Sequence, residues 1–185
     1  MRYIAFLRAI NIGGHVVTMA ELKKHFESMG FKSVETFIAS GNVVFDAPKQ
    51  NVARLEKKIG DELKRKLGYG VATFVRTEEE VAAIAAHELF SPEAMARTRV
   101  VNVAFTSSEL TDEHRTRLKS FEDELSDFVA QGREIYWRCS VTQSESNFNT
   151  QKFEKMLGIA ATWRNINTVR RLAAKYPVKS KGRNK

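Results

Sequence analysis

Val34-Glu-Thr-Phe-Ile-Ala-Ser-Gly-Asn-Val-Val-Phe45 decides the fold. Val34 to Ile38 and Val43 to Phe45 are β-type runs, and the intervening Ala39-Ser-Gly-Asn42 supplies Gly and Asn, residues that reach the positive φ a tight turn needs. A hairpin results, and the pattern outward from it is symmetric. On the N-terminal side, Thr18-Met-Ala-Glu21 has the spacing of a capping box. Leu22, Phe26 and Met29 follow as an apolar stripe before Gly30. On the C-terminal side, Val52, Leu55, Ile59 and Leu63 mark a second amphipathic helix. Beyond the helices lie two more strands. Tyr3 to Leu7 is continuously apolar, as a strand buried on both faces must be, and Val71 to Val75 is the other. The order over residues 1–76 is strand, helix, strand, strand, helix, strand, the ferredoxin-like βαββαβ unit.

The pattern then partly restarts. Thr77 to Glu80 is a second capping box, opening a helix through Val81, Ile84 and Ala85, and Ser91-Pro92 reads as a loop between two halves. Val100 to Phe105 reads as a strand, Leu118, Phe121, Leu125 and Phe128 as one helix face, and Glu134 to Cys139 as another strand. Phe153, Met156 and Leu157 precede Gly158, placed as the left-handed residue that ends a helix, with Ile159 as its hydrophobic contact. A last helix is expected to start near Thr162 to Asn165. Ile166, Val169, Leu172, Ala173 and Tyr176 form its buried stripe, and Arg164, Thr168, Arg171 and Lys175 its basic side. The expected class is α+β. Two ferredoxin-like βαββ-type halves (residues 1–90 and 91–176) pack together with C-terminal helices, and a basic tail, 177–185, is disordered without a partner.

The chain has 185 residues, enough for a sizeable core without disulfides, and a single cysteine, Cys139. No apolar run approaches the roughly 20 residues needed to cross a bilayer. Met1-Arg-Tyr-Ile-Ala-Phe lacks the features of a signal peptide, so a cytoplasmic location is expected. The net charge of +8 is unevenly placed: Lys155 to Lys185 carries nine Lys or Arg and no Asp or Glu, which leaves residues 1–154 near −1. An anionic partner at that end, a phosphate-bearing ligand or nucleic acid, is the natural reading; a solvated helix face with a solubilising tail accounts for the same charges.

Three segments resemble the bacterial family catalogued as domain of unknown function 1697. They are Leu7-Arg-Ala-Ile-Asn-Ile-Gly-Gly14 with Met19-Ala-Glu-Leu22, Ser40-Gly-Asn-Val-Val-Phe45, and Ala161-Thr-Trp-Arg-Asn-Ile-Asn-Thr-Val169. The resemblance spans nearly the whole chain and implies two ferredoxin-like halves, but no reaction, substrate or cofactor. Ala9 stands where the family more often shows Gly, and Ile166 where an aromatic is usual.

Candidate binding residues come from the same segments. Gly13 and Gly14 lie between a strand and a helix, where free amide hydrogens can receive an anion, although such a loop can need Gly for geometry alone. Arg8 and Asn11 flank that loop, and Ser40 and Asn42 offer polar groups in the hairpin turn. Arg164, Asn165 and Asn167 stand at the expected helix start, where Arg164 supplies a planar fork for phosphate or carboxylate. Capping by Thr162 or Asn165 and a core role for Trp163 explain that segment equally well. No metal or cofactor motif is present. The alternatives are an enzyme of unknown reaction on a phosphorylated small molecule, with His15 or Asn165 as polar catalyst, and a protein-interaction module.

Overall fold

The computed structural model describes residues 1–11, 16–38, 41–146 and 148–178. The chain divides into two units, Met1–Ala86 together with the chain from Val169, and His87–Thr168. In the first, β1 (Arg2–Leu7), α1 (Met19–Ser28), β2 (Lys32–Phe37), β3 (Asn42–Asp46), α2 (Val52–Leu67) and β4 (Thr73–Thr77) follow in the expected order, with α3 (Glu78–Ala86) after them. The sheet runs β2-β3-β1-β4 and every pairing is antiparallel. Each helix therefore crosses between strands that are separated by one inserted strand, which is the ferredoxin-like arrangement.

The helices start and stop where their local chemistry dictates. At α1 the Thr18 side chain accepts from the Glu21 amide while Glu21 accepts from the Thr18 amide. At α2 the Asn51 side chain accepts from Arg54 N–H, and Gly68 closes the helix at φ +82°. The box at Thr77 and Glu80 also forms. Tyr3, Ala5 and Leu7 of β1 join Val43, Phe45, Val75, Leu22, Phe26, Leu55, Ile59 and Leu63 in one core. Phe45 is its hub, with ring centroids 4.5 Å from Phe31, 5.5 Å from Phe26 and 5.7 Å from Tyr3. The alternate residues Ile4, Phe6, Val44 and Phe74 are buried too, so β1 is covered on both faces.

The end of α7 (Ile166–Lys175) is tied to β2. The Tyr176 hydroxyl donates to Glu35 Oε2 at 2.7 Å, Lys175 reaches the same oxygen at 3.1 Å, and Arg2 lies over the Tyr176 ring. The hydrogen bond from Tyr176, then that from Lys175, holds the Glu35 carboxyl below its usual range. A depressed folded-state pKa contributes stability above the unfolded value and loses it as pH falls through the folded one. Tyr176→Phe is therefore expected to raise the Glu35 pKa, so that this contribution disappears at a higher pH during acidification. An NMR titration of the Glu35 carboxyl carbon checks it, and an unchanged midpoint would refute it.

The second unit repeats the topology. It contains α4 (Pro92–Ala96), β5 (Val100–Thr106), α5 (Asp112–Leu118) with a 3-10 turn at Lys119–Phe121, β6 (Ser126–Gln131), β7 (Glu134–Cys139), α6 (Thr150–Leu157) and β8 (Ala161–Asn165). Its sheet order, β6-β7-β5-β8, is the first sheet's order renumbered. Its core gathers Leu118, Phe128, Ile135, Trp137, Phe153, Leu157 and Ala161, with Phe121, Phe148 and Trp163 packed against it. Cys139 is buried here as a free thiol.

Four expectations need correction. The fourth strand is Thr73–Thr77, two residues later than Val71 to Val75. Ser91 caps the short α4 rather than lying in an open loop. Leu118, Phe121, Leu125 and Phe128 do not share a helix face: the helix ends at Leu118, and Phe128 reaches the core from β6, where Ser126 and Phe128 alternate with less buried neighbours. Helical spacing across a strand boundary was coincidental, because a turn redirects the chain between the two. Finally, Ala161–Asn165 is a strand and not a helix start, and α7 begins only at Ile166. Five residues cannot show a clear period, and Thr and Asn serve in caps as readily as at strand ends.

Candidate functional site

In the first unit, the described candidates are Arg8, Asn11 and Asn42. The Leu7 amide donates to Gly41 O at 2.8 Å and the Arg8 amide to Ala72 O at 2.9 Å. The loop after β1 is thus stitched to the β2–β3 turn on one side and to the approach to β4 on the other. Tyr69 Oη donates to Ile10 O at 2.7 Å. Asn11 Oδ1 accepts from the Val17 amide at 2.8 Å, closing the loop ahead of α1. Asn42 is fully buried and its Nδ2 donates to Phe37 O at 3.1 Å, so its amide secures the hairpin. Gly41 at φ +72° and Ile38 at φ +50° carry positive φ in the turn, whereas Asn42 lies in β3. Ala9 adopts φ +56°, the left-handed region that costs a side-chain-bearing residue about 1 kcal/mol, at the position where the family resemblance leads one to expect Gly. Gly13, Gly14, His15 and Ser40 lie outside the described residues.

Arg164, Asn165 and Asn167 belong to the second unit. β8 pairs with β5 in the register Asn102↔Asn165, Val103↔Arg164, Ala104↔Trp163, so backbone groups of Thr162 to Asn165 serve a sheet ladder rather than an open helix end. Asn165 Oδ1 accepts from the Asn167 amide at 2.9 Å and thereby occupies a first-turn donor of α7. The Asn167 side chain is exposed. Arg164 Nη1 donates to Thr162 Oγ1 at 3.0 Å and to Trp163 O at 2.7 Å. Burial pushes its guanidinium down to about 10, far from the ordinary value.

Val103 has Arg164 on one side in the register and Tyr136 on the other, so the two side chains share a sheet face. Tyr136 Oη lies 2.7 Å from His87 Nδ1. Burial, followed by the charge of Glu134, pushes the phenol well above the ordinary tyrosine range. Arg138 lies two residues from Tyr136 on the same face, and its Nε donates to Asp127 Oδ2 at 2.5 Å. Sequence reading missed this cluster. Its signal was the alternation of Glu134, Tyr136 and Arg138 with the apolar Ile135, Trp137 and Cys139.

The basic stripe of α7 is partly spoken for. Arg171 lies over the Phe37 ring at 5.4 Å, Lys175 pairs with Glu35, and Arg170 Nε donates to Ala85 O at 3.4 Å. Arg164, read as part of that stripe, is on β8 instead. Lys179, Lys181 and Arg183 lie outside the described residues.

Two polar cavities adjoin the loop between β7 and α6. The larger, of about 770 Å³, is lined by Gln143, Ser144, Phe148, Asn149, Thr150 and Gln151. The smaller, of about 270 Å³, shares Phe148 and Asn149 with it. Nearby, the indole N–H groups of Trp137 and Trp163 are buried with no hydrogen-bond partner, an arrangement that costs about 1–3 kcal/mol for each donor. Among the described residues no group of three or more His, Cys, Asp or Glu could hold a metal ion, and no helix is long and apolar enough to cross a membrane.

Residues 1–136 match the family model described as "Protein of unknown function (DUF1697)", and the chain belongs to that family. Among solved structures, the conserved bacterial protein SP0830 from Streptococcus pneumoniae is similar at a TM-score of 0.72 and 22% identity, over 94% of this chain and 97% of that one. At that identity the likeness shows the fold alone. No curated protein matches the chain.

Proposed function

We propose that the protein is a binding module for an anionic, phosphate-bearing ligand, with Arg164 as the principal cationic contact and Thr162 and Asn167 as flanking polar groups. The observation that carries this reading is the half-buried Arg164 guanidinium. It is partly withdrawn from water on a sheet face, with Nη1 oriented by the Thr162 hydroxyl and the Trp163 carbonyl. Withdrawing a cation from water is unfavourable, and an anion that shares the site recovers energy through charge-assisted, bidentate hydrogen bonds. The lowered pKa is consistent with this, because a bound phosphate would raise it. His87, hydrogen-bonded to Tyr136, lies in the same unit. The partly engaged stripe on α7, where Lys175 pairs with Glu35, favours a compact ligand over an extended phosphate backbone.

Thermal unfolding of the full chain in the presence of inorganic phosphate and nucleoside monophosphates tests the reading. A ligand at about 100 times its dissociation constant adds about 2.7 kcal/mol, a rise of roughly 5–10 °C for a chain of this length. Arg164→Gln is expected to abolish the rise, and Arg164→Lys, which keeps the charge but not the planar fork, to lose most of it. A rise undiminished in both variants, or none with any phosphate compound, refutes the proposal. Steeply salt-dependent binding of an oligonucleotide, with phosphate compounds inert, would replace it with the nucleic-acid reading.

A further inference from the structure

Among the described residues, the wall of the larger cavity on the second unit carries no formal charge. Gln143, Asn149 and Gln151 contribute carboxamides, Ser144 and Thr150 hydroxyls, and Phe148 a half-buried ring. It is an open depression on the surface, and its volume of about 770 Å³ falls in the range of small-molecule sites. The elements that frame it are anchored. Asn102 Nδ2 on β5 donates to Gln143 Oε1 at 3.4 Å, Ser146 Oγ donates to Gln143 O at 2.8 Å, and Asn149 Oδ1 caps α6 by accepting from the Lys152 amide at 2.9 Å. Phe148, at the cavity wall, packs directly on both indoles whose N–H groups are buried without an acceptor, its ring centroid 4.4 Å from Trp137 and 5.4 Å from Trp163. Unsatisfied donors are rare in folded proteins, and two of them packed on one cavity-lining ring call for an explanation.

We infer that this cavity is a second binding site, for an uncharged planar heterocycle of the nucleobase class. Carboxamides present a donor and an acceptor in one plane, the pattern that matches the hydrogen-bonding edges of bases, and an aromatic ring supplies a stacking face. An uncharged lining offers nothing to a phosphate or carboxylate, which separates this site chemically from the one at Arg164.

Both tryptophans of the chain lie beside this cavity, so intrinsic fluorescence reports on it directly. Titration of the full-length protein with adenosine, guanosine, cytidine and uridine, followed by tryptophan emission and by calorimetry, is expected to show saturable binding of at least one nucleoside with a change in emission. Gln143→Ala and Gln151→Ala change side chains exposed to solvent and should leave the fold intact. Each is expected to weaken binding by up to about tenfold, the loss of one hydrogen bond. Arg164→Gln is expected to leave it unchanged, which keeps this result distinct from the phosphate test. Nucleoside binding undiminished in both glutamine variants, saturable binding of glucose with every nucleoside inert, or no saturable binding at all overturns the inference.

Discussion

Phe45→Ala is expected to destabilise the first unit by about 3–5 kcal/mol, the range for deleting a buried aromatic side chain. Phe45 is fully buried on β3, a central strand, and its ring meets Tyr3 from β1, Phe26 from α1 and Phe31 from the turn ahead of β2. Deleting it leaves a void bordered by three elements that cannot all close in at once, because the sheet fixes β1. Urea unfolding of the full chain should show the loss as a lower midpoint. Phe45→Leu, which keeps most of the volume, should recover more than half. Equal costs for the two variants would mean that the loss lies in the ring's own contacts rather than in apolar volume.

Gly41→Ala is expected to cost about 2–4 kcal/mol, the sum of two separable effects. A side chain at φ +72° carries the left-handed penalty of roughly 1 kcal/mol. The added Cβ would also stand 3.1 Å from Ile10 Cγ2, 3.2 Å from Leu7 Cβ and 3.3 Å from Leu7 O, so the loop after β1 would have to shift. Gly30→Ala isolates the first effect, because Gly30 sits at φ +86° and a Cβ added there would meet nothing within 4 Å. Chemical denaturation of the two variants should place Gly41→Ala well below Gly30→Ala. Equal losses would show that the contact between the β1 loop and the hairpin turn is soft.

The first unit was legible because its signals are local and agree with one another. β1 is continuously apolar since it lies between β3 and β4, and both capping boxes and the stripe of α2 stand where the residues put them. The second unit was half legible. β5 and β7 followed from their apolar runs, but β6 and β8 are edge strands of six and five residues. An edge strand is covered less completely and needs no long apolar run, so its sequence resembles a turn or a cap.

Of the candidate site, the sequence singled out Arg164 but gave it the wrong backbone, and it marked Asn42, whose amide secures a hairpin. His87 and Tyr136 are 49 residues apart, and no spacing rule connects them; only the pairing of β5 with β7 turns the phenol toward the imidazole's side of the unit. The cavity beside Phe148 escaped for the same reason, since its lining is ordinary polar loop sequence.

Residue order alone determined the element types of the first unit, its topology, the duplication in outline and the family, because periodicity, caps and turn residues act over a few positions. The tertiary structure decided which polar groups are buried, that Arg164 sits half-buried on an edge strand, and that two indole donors lie without partners on one ring. Those outcomes depend on which strands become neighbours and how much water reaches each group, quantities set by the packing of residues far apart in the chain.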